Sequence, residues 1–288
     1  MKIGIVGLGL MGGSFALDLK SLNGGLKIFG HDNSVKNAEK ALKIGFIDEI
    51  IDFSKLRDMD VVVVAVPVDV SLNLVWKILD IVKDDSIVFD VGSTKSPICS
   101  FLKNHSRRKN FLACHPMAGT EFSGPEAAIT GLYLNKTNII CEANKTSAKL
   151  LKKALDIFNK LKMKSIFMDP ISHDTHAAYV SHLSHVSSFM LGKTVMEKEE
   201  DEQNIFDMAG SGFSSTVRLA KSSPEMWMPI FKQNKQNVIE TLGEYIDNME
   251  YFKSLLENDD YTTIVEEMKK INKITHILKP EIKTNGKQ

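Results

Sequence analysis

Lys2-Ile3-Gly4-Ile5-Val6-Gly7-Leu8-Gly9-Leu10-Met11-Gly12-Gly13-Ser14 is the stretch that decides the fold. The β-branched apolar run over residues 3–6 predicts a strand. It leads directly into Gly-x-Gly-x-x-Gly at Gly7, Gly9 and Gly12, and a helical pattern follows over residues 11–20. Strand, glycine turn and helix N-terminus are the parts of a dinucleotide-binding unit. Gly7 permits the tight turn. Gly9, without a Cβ, lets a pyrophosphate approach the backbone. Gly12 lets helix and strand pack closely. The helix N-terminus then presents free N–H groups and the positive end of its dipole to the phosphates.

Working outward, a second apolar run over residues 26–30 ends at His31-Asp32. Asp32 lies 20 residues beyond Gly12. A carboxylate there accepts hydrogen bonds from both ribose hydroxyls and repels a 2′-phosphate, so the cofactor reads as NAD rather than NADP. The alternative is that Asp32 caps the next helix, a task Ser34 can also perform. The expected cofactor contacts are Gly7, Leu8, Gly9, Leu10, Met11, Gly12 and Asp32, with Val66 and Pro67 after the third apolar run.

That third run, residues 61–66, is apolar throughout, as a central parallel strand covered on both faces requires. Further strands are expected at residues 86–91, 111–114, 137–141 and 164–168, with helices at 34–44, 70–82 and 147–161. This is an α/β pattern, a Rossmann-type doubly wound sheet. At Asp169-Pro170 the character changes, and helical patterns take over at residues 174–195, 224–256 and 261–278. The expected division is an NAD-binding domain over 1–169, an all-helical substrate and dimerisation domain over 170–280, and a polar tail over 281–288. Several later helices are apolar on more than one side, which predicts a homodimer.

Apolar residues make up 43% of the 288 and charged residues 25%, with zero net charge, the balance of an ordinary globular protein. Nothing electrostatic points to nucleic acid or an acidic membrane. Cys99, Cys114 and Cys141 are odd in number and widely spaced, which fits buried thiols in a reducing cytosol better than a disulfide framework or a metal cluster. The N-terminus carries a glycine fingerprint instead of a signal peptide, and no apolar run is long enough to span a bilayer. A cytoplasmic location is expected.

In doubly wound sheets ligands sit beyond the carboxyl ends of the strands. Ser93 follows one strand there, and His115 with Thr120 and Glu121 follows the next. A histidine titrating near neutrality can accept a hydroxyl proton as a hydride leaves the same carbon. Ser93 could instead cap a helix, and His115 could be a satisfied structural histidine. Four histidines fall between His173 and His185. At about 100° per residue His176 and His185 face opposite ways, so they cannot share an ion, and no metal is expected. Ala178, Ser181, His182, His185 and Phe189 form one stripe, read either as core or as a face turned to the cofactor. Arg218, after the Gly210-Ser211-Gly212 turn, needs a carboxylate partner. That partner is either a substrate or a protein acid such as Glu225 or Asp207. Trp227 reads equally as core.

These pieces together resemble the prephenate dehydrogenase family, with arogenate dehydrogenases as close relatives. The resemblance rests on GLGLMGGS at 7–14, D-x-x-S-x-K at 90–95, HPMAGTExSG at 115–124, HD at 173–174, SHLxH at 181–185 and GFxxxxRxAxSxPxMW at 212–227. It implies a Rossmann domain followed by a helical dimerisation domain, and NAD-dependent oxidative decarboxylation of prephenate in tyrosine biosynthesis. It also implies that His115 is the catalytic histidine at the substrate C4 hydroxyl and that Ser93 orients it. Arg218 and His185 would bind the carboxylates, with His182 and Ser181 beside them. Thr120 and Glu121 would line the site, and Trp227 would support its wall. Ser211 stands where many relatives carry glycine. The length leaves no room for a mutase or regulatory domain, so a monofunctional enzyme is expected. An arogenate dehydrogenase is the nearest alternative. A β-hydroxyacid dehydrogenase or imine reductase would need a catalytic lysine on the first long helix, where His182 and His185 stand and Lys193 lies beyond the stripe. A non-enzymatic NAD-binding regulator would have no need of Ser93, His115 and Arg218.

Overall fold

In the computed structural model, which describes residues 1–22, 25–202 and 204–278, the opening stretch forms strand β1 (Lys2–Val6), the glycine turn and helix α1 (Leu10–Lys20). Strands β2 (Lys27–His31), β3 (Glu49–Ile50), β4 (Val61–Val64), β5 (Ile87–Asp90), β6 (Phe111–Pro116), β7 (Thr137–Cys141) and β8 (Lys164–Met168) complete one eight-stranded sheet. Its order is β3-β2-β1-β4-β5-β6-β7-β8. All neighbouring pairs are parallel except β6 with β7. The order reverses between β1 and β4, so the crevice beyond their carboxyl ends is the ligand position of a doubly wound fold.

The alternation of side chains assigns the apolar runs to two cores. Ile3, Ile5, Val61, Val63, Ile87 and Phe89 face one layer, which includes Phe15 and Leu19 of α1 and Ile157 and Phe158 of α5 (Ala148–Lys160). Val62, Val64 and Val88 face the other, with Val75 and Leu79 of α3 (Val68–Ile81) and Ile98 of α4 (Ser96–Phe101). Both faces are dry, which is why these strands carry no polar alternation. Helix α2 (Val35–Ile44) is capped by Ser34, whose hydroxyl accepts the Asn37 N–H, so Asp32 does not cap it.

After β8 no strand occurs among the described residues. Helix α6 (Pro170–Ala177) starts on an Asp169 cap and passes through a wide π turn at Ala178–His182 into α7 (Leu183–Glu202). A single helix over 174–195 was expected; the π turn interrupts it and resets the stripe that carries the histidines. The glycine-rich connector becomes α8 (Ser211–Thr216), with Ser211 as its first residue. The expected helix over 224–256 is broken at Asn234 into α9 (Pro224–Gln233) and α10 (Lys235–Glu257). Helix α11 (Tyr261–Ile271) ends earlier than its apolar pattern, and a short turn at Ile274–Ile277 follows. The tail over 281–288 lies outside the described residues. The chain forms two compact units, Met1–Val238 and Ile239–Gln288. The first holds the whole sheet and the helices through α9. The second is helical among its described residues and carries most of α10, and α11.

Candidate active site

The glycine turn has the shape its sequence requires. Gly7 adopts φ +90°, and a Cβ there would lie 2.3 Å from the Ala65 carbonyl oxygen and against Val66. A Cβ on Gly12 would lie 2.0 Å from the Gly7 oxygen. Gly9 differs: a Cβ there would meet nothing within 4 Å. It is also the N-cap of α1, and no side chain caps that helix. Open space over a bare, uncapped helix N-terminus fits a dinucleotide pyrophosphate. The Leu8 and Leu10 side chains are buried, so only their backbone can serve a ligand. The Leu8 N–H is already donated to Asp32 Oδ2 (2.8 Å), while Asp32 Oδ1 accepts the Ser34 N–H (2.8 Å). Asp32 thus ties the end of β2 to the turn after β1. A direct contrast follows. Gly9→Ala should fold with unchanged thermal stability and bind NAD at least tenfold more weakly, whereas Gly12→Ala should lower the melting temperature. Parallel calorimetry and NAD titration check both.

The motif over 90–95 forms a buried splice between β5 and β6. The fully buried Lys95 ammonium pairs with Asp90 and donates to the Cys114 carbonyl (2.7 Å). Asp90 Oδ1 accepts the Cys114 N–H (3.1 Å). These bonds extend the β5–β6 pairing to the residue before His115. His115 itself lies within β6, which runs two residues further than its apolar pattern. Ser93, in the loop after β5, is not a helix cap: α4 starts from Lys95 with no side-chain cap, and the Ser93 hydroxyl has no partner among the described residues.

His115 is buried, and its Nδ1 lies 2.8 Å from His173 Nε2 on α6. His173 Nδ1 lies 2.7 Å from Asp174 Oδ1. The Asp174 carboxylate also accepts the N–H groups of Lys95 (2.7 Å) and Ser96 (2.8 Å). Burial first, then the neighbouring His173 imidazole and the Lys95 ammonium, push the His115 pKa well below the usual histidine value, so it is neutral at pH 7. Burial raises the Asp174 pKa, but its hydrogen bonds to His173, Lys95 and Ser96 outweigh this and hold it below the ordinary carboxylate value.

A second group faces from the helices after β8. Asn234, at the break between α9 and α10, donates through Nδ2 to the Asp174 carbonyl (2.7 Å), and the same amide nitrogen lies 3.1 Å from His182 Nδ1. His182 Nδ1 is therefore the acceptor, and its proton sits on Nε2. Burial lowers the His182 pKa to about 4. The Nε2 of His182 and the Nε1 of Trp227 are both buried without a partner among the described residues. Buried donors of this kind call for an acceptor. His185 stacks on Trp227 at 3.6 Å and donates Nδ1–H to the Ser181 carbonyl (2.9 Å). Trp227 packs with Ile230 against Val68 at the start of α3. Gln233 bonds the Val68 carbonyl (2.9 Å) and accepts from Thr94 (2.6 Å). Helix α9 is thereby fastened to the loops beyond β4 and β5.

Arg218 is exposed, and its Nη1 donates to Glu121 Oε2 at 3.2 Å. Its protein partner is thus neither Glu225 nor Asp207; Glu225 instead accepts from Ser223. Thr120 accepts the Phe122 N–H (3.2 Å), which shapes the loop that carries Glu121. His176 is exposed on α6. Among the described residues no three His, Cys, Asp or Glu side chains are grouped as metal ligands.

The sequence left three contributors unassigned. His173 and Asp174 appeared only as a dipeptide, and Asn234 not at all. The helix start at Asp169-Pro170 was the available signal for the first two, because it puts residues 173–174 one turn in. Asn234 gives no signal beyond being polar within an amphipathic run.

Comparison with known proteins agrees with this geometry. Residues 15–167 match the family model for the prephenate dehydrogenase nucleotide-binding domain, and residues 169–270 match that for the prephenate dehydrogenase dimerization domain. A prephenate dehydrogenase of Lactococcus lactis is 30% identical over 286 residues, covering 96% of this chain and 78% of that protein. The crystal structure of prephenate dehydrogenase from Aquifex aeolicus, in complex with hydroxyphenyl propionate and NAD+, superposes with a TM-score of 0.88 at 34% identity. That match covers 96% of this chain and 97% of that one. Synechocystis arogenate dehydrogenase superposes at 0.76 with 27% identity, over 94% and 98% of the two chains.

Proposed function

Because the chain belongs to the prephenate dehydrogenase family, we propose that it is an NAD-dependent oxidoreductase that converts prephenate to 4-hydroxyphenylpyruvate and CO2, with His115 as the base. One observation carries the assignment of the base. A buried, neutral imidazole sits at the carboxyl end of β6 with one nitrogen held by His173 and the other without a partner among the described residues.

Bound NAD supplies the acceptor for the hydride that leaves substrate C4. His115 takes the C4 hydroxyl proton as the carbon–oxygen bond gains double-bond character. Loss of the C1 carboxylate as CO2 leaves its electron pair in the ring, which becomes aromatic, and His115 returns the proton to the phenolic oxygen. The balance is one hydride transferred, one CO2 released and no net proton. Ser93, with its uncommitted hydroxyl beside this strand end, orients the C4 hydroxyl. Arg218 keeps four guanidinium donors beyond the one engaged by Glu121 and anchors a carboxylate. His182 and Trp227 contribute neutral N–H donors. His185 has its Nδ1 proton committed to Ser181, so it must gain a proton at Nε2 to hold a carboxylate; Ser181, Thr120 and Glu121 line the same side.

The cofactor contacts are Gly7, Gly9, Gly12, the backbone of Leu8, Leu10 and Met11, and Asp32, Val66 and Pro67. We assign NAD binding to residues 1–169 and substrate binding with homodimerisation to residues 170–280. Val180 and Met190, 68% and 51% exposed, suit burial against a second copy. Among the described residues no helix is long and apolar enough to cross a membrane, and we place the protein in the cytoplasm. The test is an assay of the purified protein with prephenate and arogenate, each with NAD and NADP. NADH formation with stoichiometric CO2 from prephenate is expected. Absence of both would refute the assignment, and equal rates with NADP would remove the role given to Asp32.

A further inference from the structure

We propose that His173 and Asp174 are positioning residues that lock His115 in one tautomer, with its proton on Nδ1 and its lone pair on Nε2. The proposal rests on reading His115 as the base. It follows atom by atom from the hydrogen bonds. Asp174 accepts on both oxygens, from the Lys95 and Ser96 N–H groups, and is a carboxylate. An ionised carboxylate only accepts, so His173 Nδ1, 2.7 Å away, carries a proton. In a neutral His173 the other nitrogen, Nε2, is then a lone pair. It faces His115 Nδ1 at 2.8 Å, so His115 Nδ1 must be the donor. That leaves the lone pair of neutral His115 on Nε2, the nitrogen with no partner among the described residues. Without this chain an isolated imidazole divides between two tautomers, and one of them presents N–H where a base is needed.

The arrangement also serves the reacting state. When His115 Nε2 takes the hydroxyl proton, the new imidazolium charge is felt through His173 by the buried Asp174 carboxylate. The charged and titratable groups around His115 are His173 and Asp174 from α6, Lys95 with Asp90 from the β5 splice, and His182 from the π turn. Asp174 and Asp90 are the anions of this set. Asp90 is committed to Lys95, so Asp174 is the one free to stabilise the cation. Asp174 is held by backbone N–H groups of the loop that carries Ser93. The same loop therefore presents Ser93 and sets the proton position on His115.

Three variants test the proposal, with NAD affinity and thermal unfolding as controls for folding. His173→Leu removes the acceptor and should lower kcat by about 10²-fold or more. His173→Gln keeps an acceptor within reach of His115 Nδ1 and should recover at least tenfold of that loss. Asp174→Asn removes the anion that favours a charged His115. The acid limb of its kcat/KM profile should therefore move to lower pH while the plateau falls. Equal loss in the Leu and Gln variants, full activity in His173→Leu, or an unmoved acid limb in Asp174→Asn would each overturn the proposal. Should Asp174→Asn fail to fold, the His173 pair decides. His115→Asn separates the two readings. If it keeps full kcat, the assignment of the base fails. If it is inactive while His173→Leu is fully active, only the positioning role falls.

Discussion

His115→Asn is expected to lower kcat by about 10³-fold, roughly 4 kcal/mol in the barrier, with the Kd for NAD unchanged. Asparagine retains an N–H for His173 Nε2, so the buried pair is not left broken, and no large loss of stability accompanies the loss of rate. The loss falls on kcat because proton transfer to His115 strengthens only as the hydride leaves and is weak in the ground state. Stopped-flow measurement of NADH formation, with NAD binding measured separately, checks this. Retention of even a tenth of the wild-type kcat would remove His115 from the mechanism.

Arg218→Ala is expected to act on a different constant. It should raise the KM for substrate by about 30- to 150-fold, the cost of charge-assisted hydrogen bonds worth about 2–3 kcal/mol, and leave the KM for NAD unchanged. Glu121 makes the effect larger than loss of the arginine alone. Its carboxylate is lowered in pKa by its own backbone N–H and by Arg218. It remains an anion at neutral pH after Arg218 is removed, beside the place proposed for a dianionic substrate. Arg218→Ala combined with Glu121→Gln should therefore recover part of the lost affinity. A KM unchanged in the single variant would show that substrate is anchored elsewhere.

The parts of this molecule readable from sequence are those fixed by local physics. The Gly7–Gly12 turn was legible because its glycine spacing is a local pattern directly between a strand and a helix, although the Cβ that Gly7 lacks would strike Ala65, far along the chain. The buried strands were legible because two dry faces leave no polar alternation. Strand β3 escaped because two residues cannot carry a period. The π turn escaped because one extra residue shifts a helical stripe without changing its composition. Two pairings that define the site are long-range: His115 meets His173 across 58 positions, and Arg218 meets Glu121 across 97. Neither separation leaves a trace in hydropathy. The family motifs marked these residues as a set, but only the folded chain shows that Asp174 pairs with His173 and that Glu121 pairs with Arg218.

The splice formed by Asp90, Lys95 and Asp174 has a consequence for motion. Loop edges of α/β sheets ordinarily exchange their amide hydrogens quickly, since water reaches them without unfolding. Here the amides of Cys114 and Lys95 are donated to buried carboxylates, with the Lys95 ammonium sealed beneath them. To release either amide, the chain must expose an ion pair and a hydrophobic core together. The amides of Cys114 and Lys95 are therefore expected to exchange slowly, together with helix α6 that carries Asp174, and hydrogen exchange checks this.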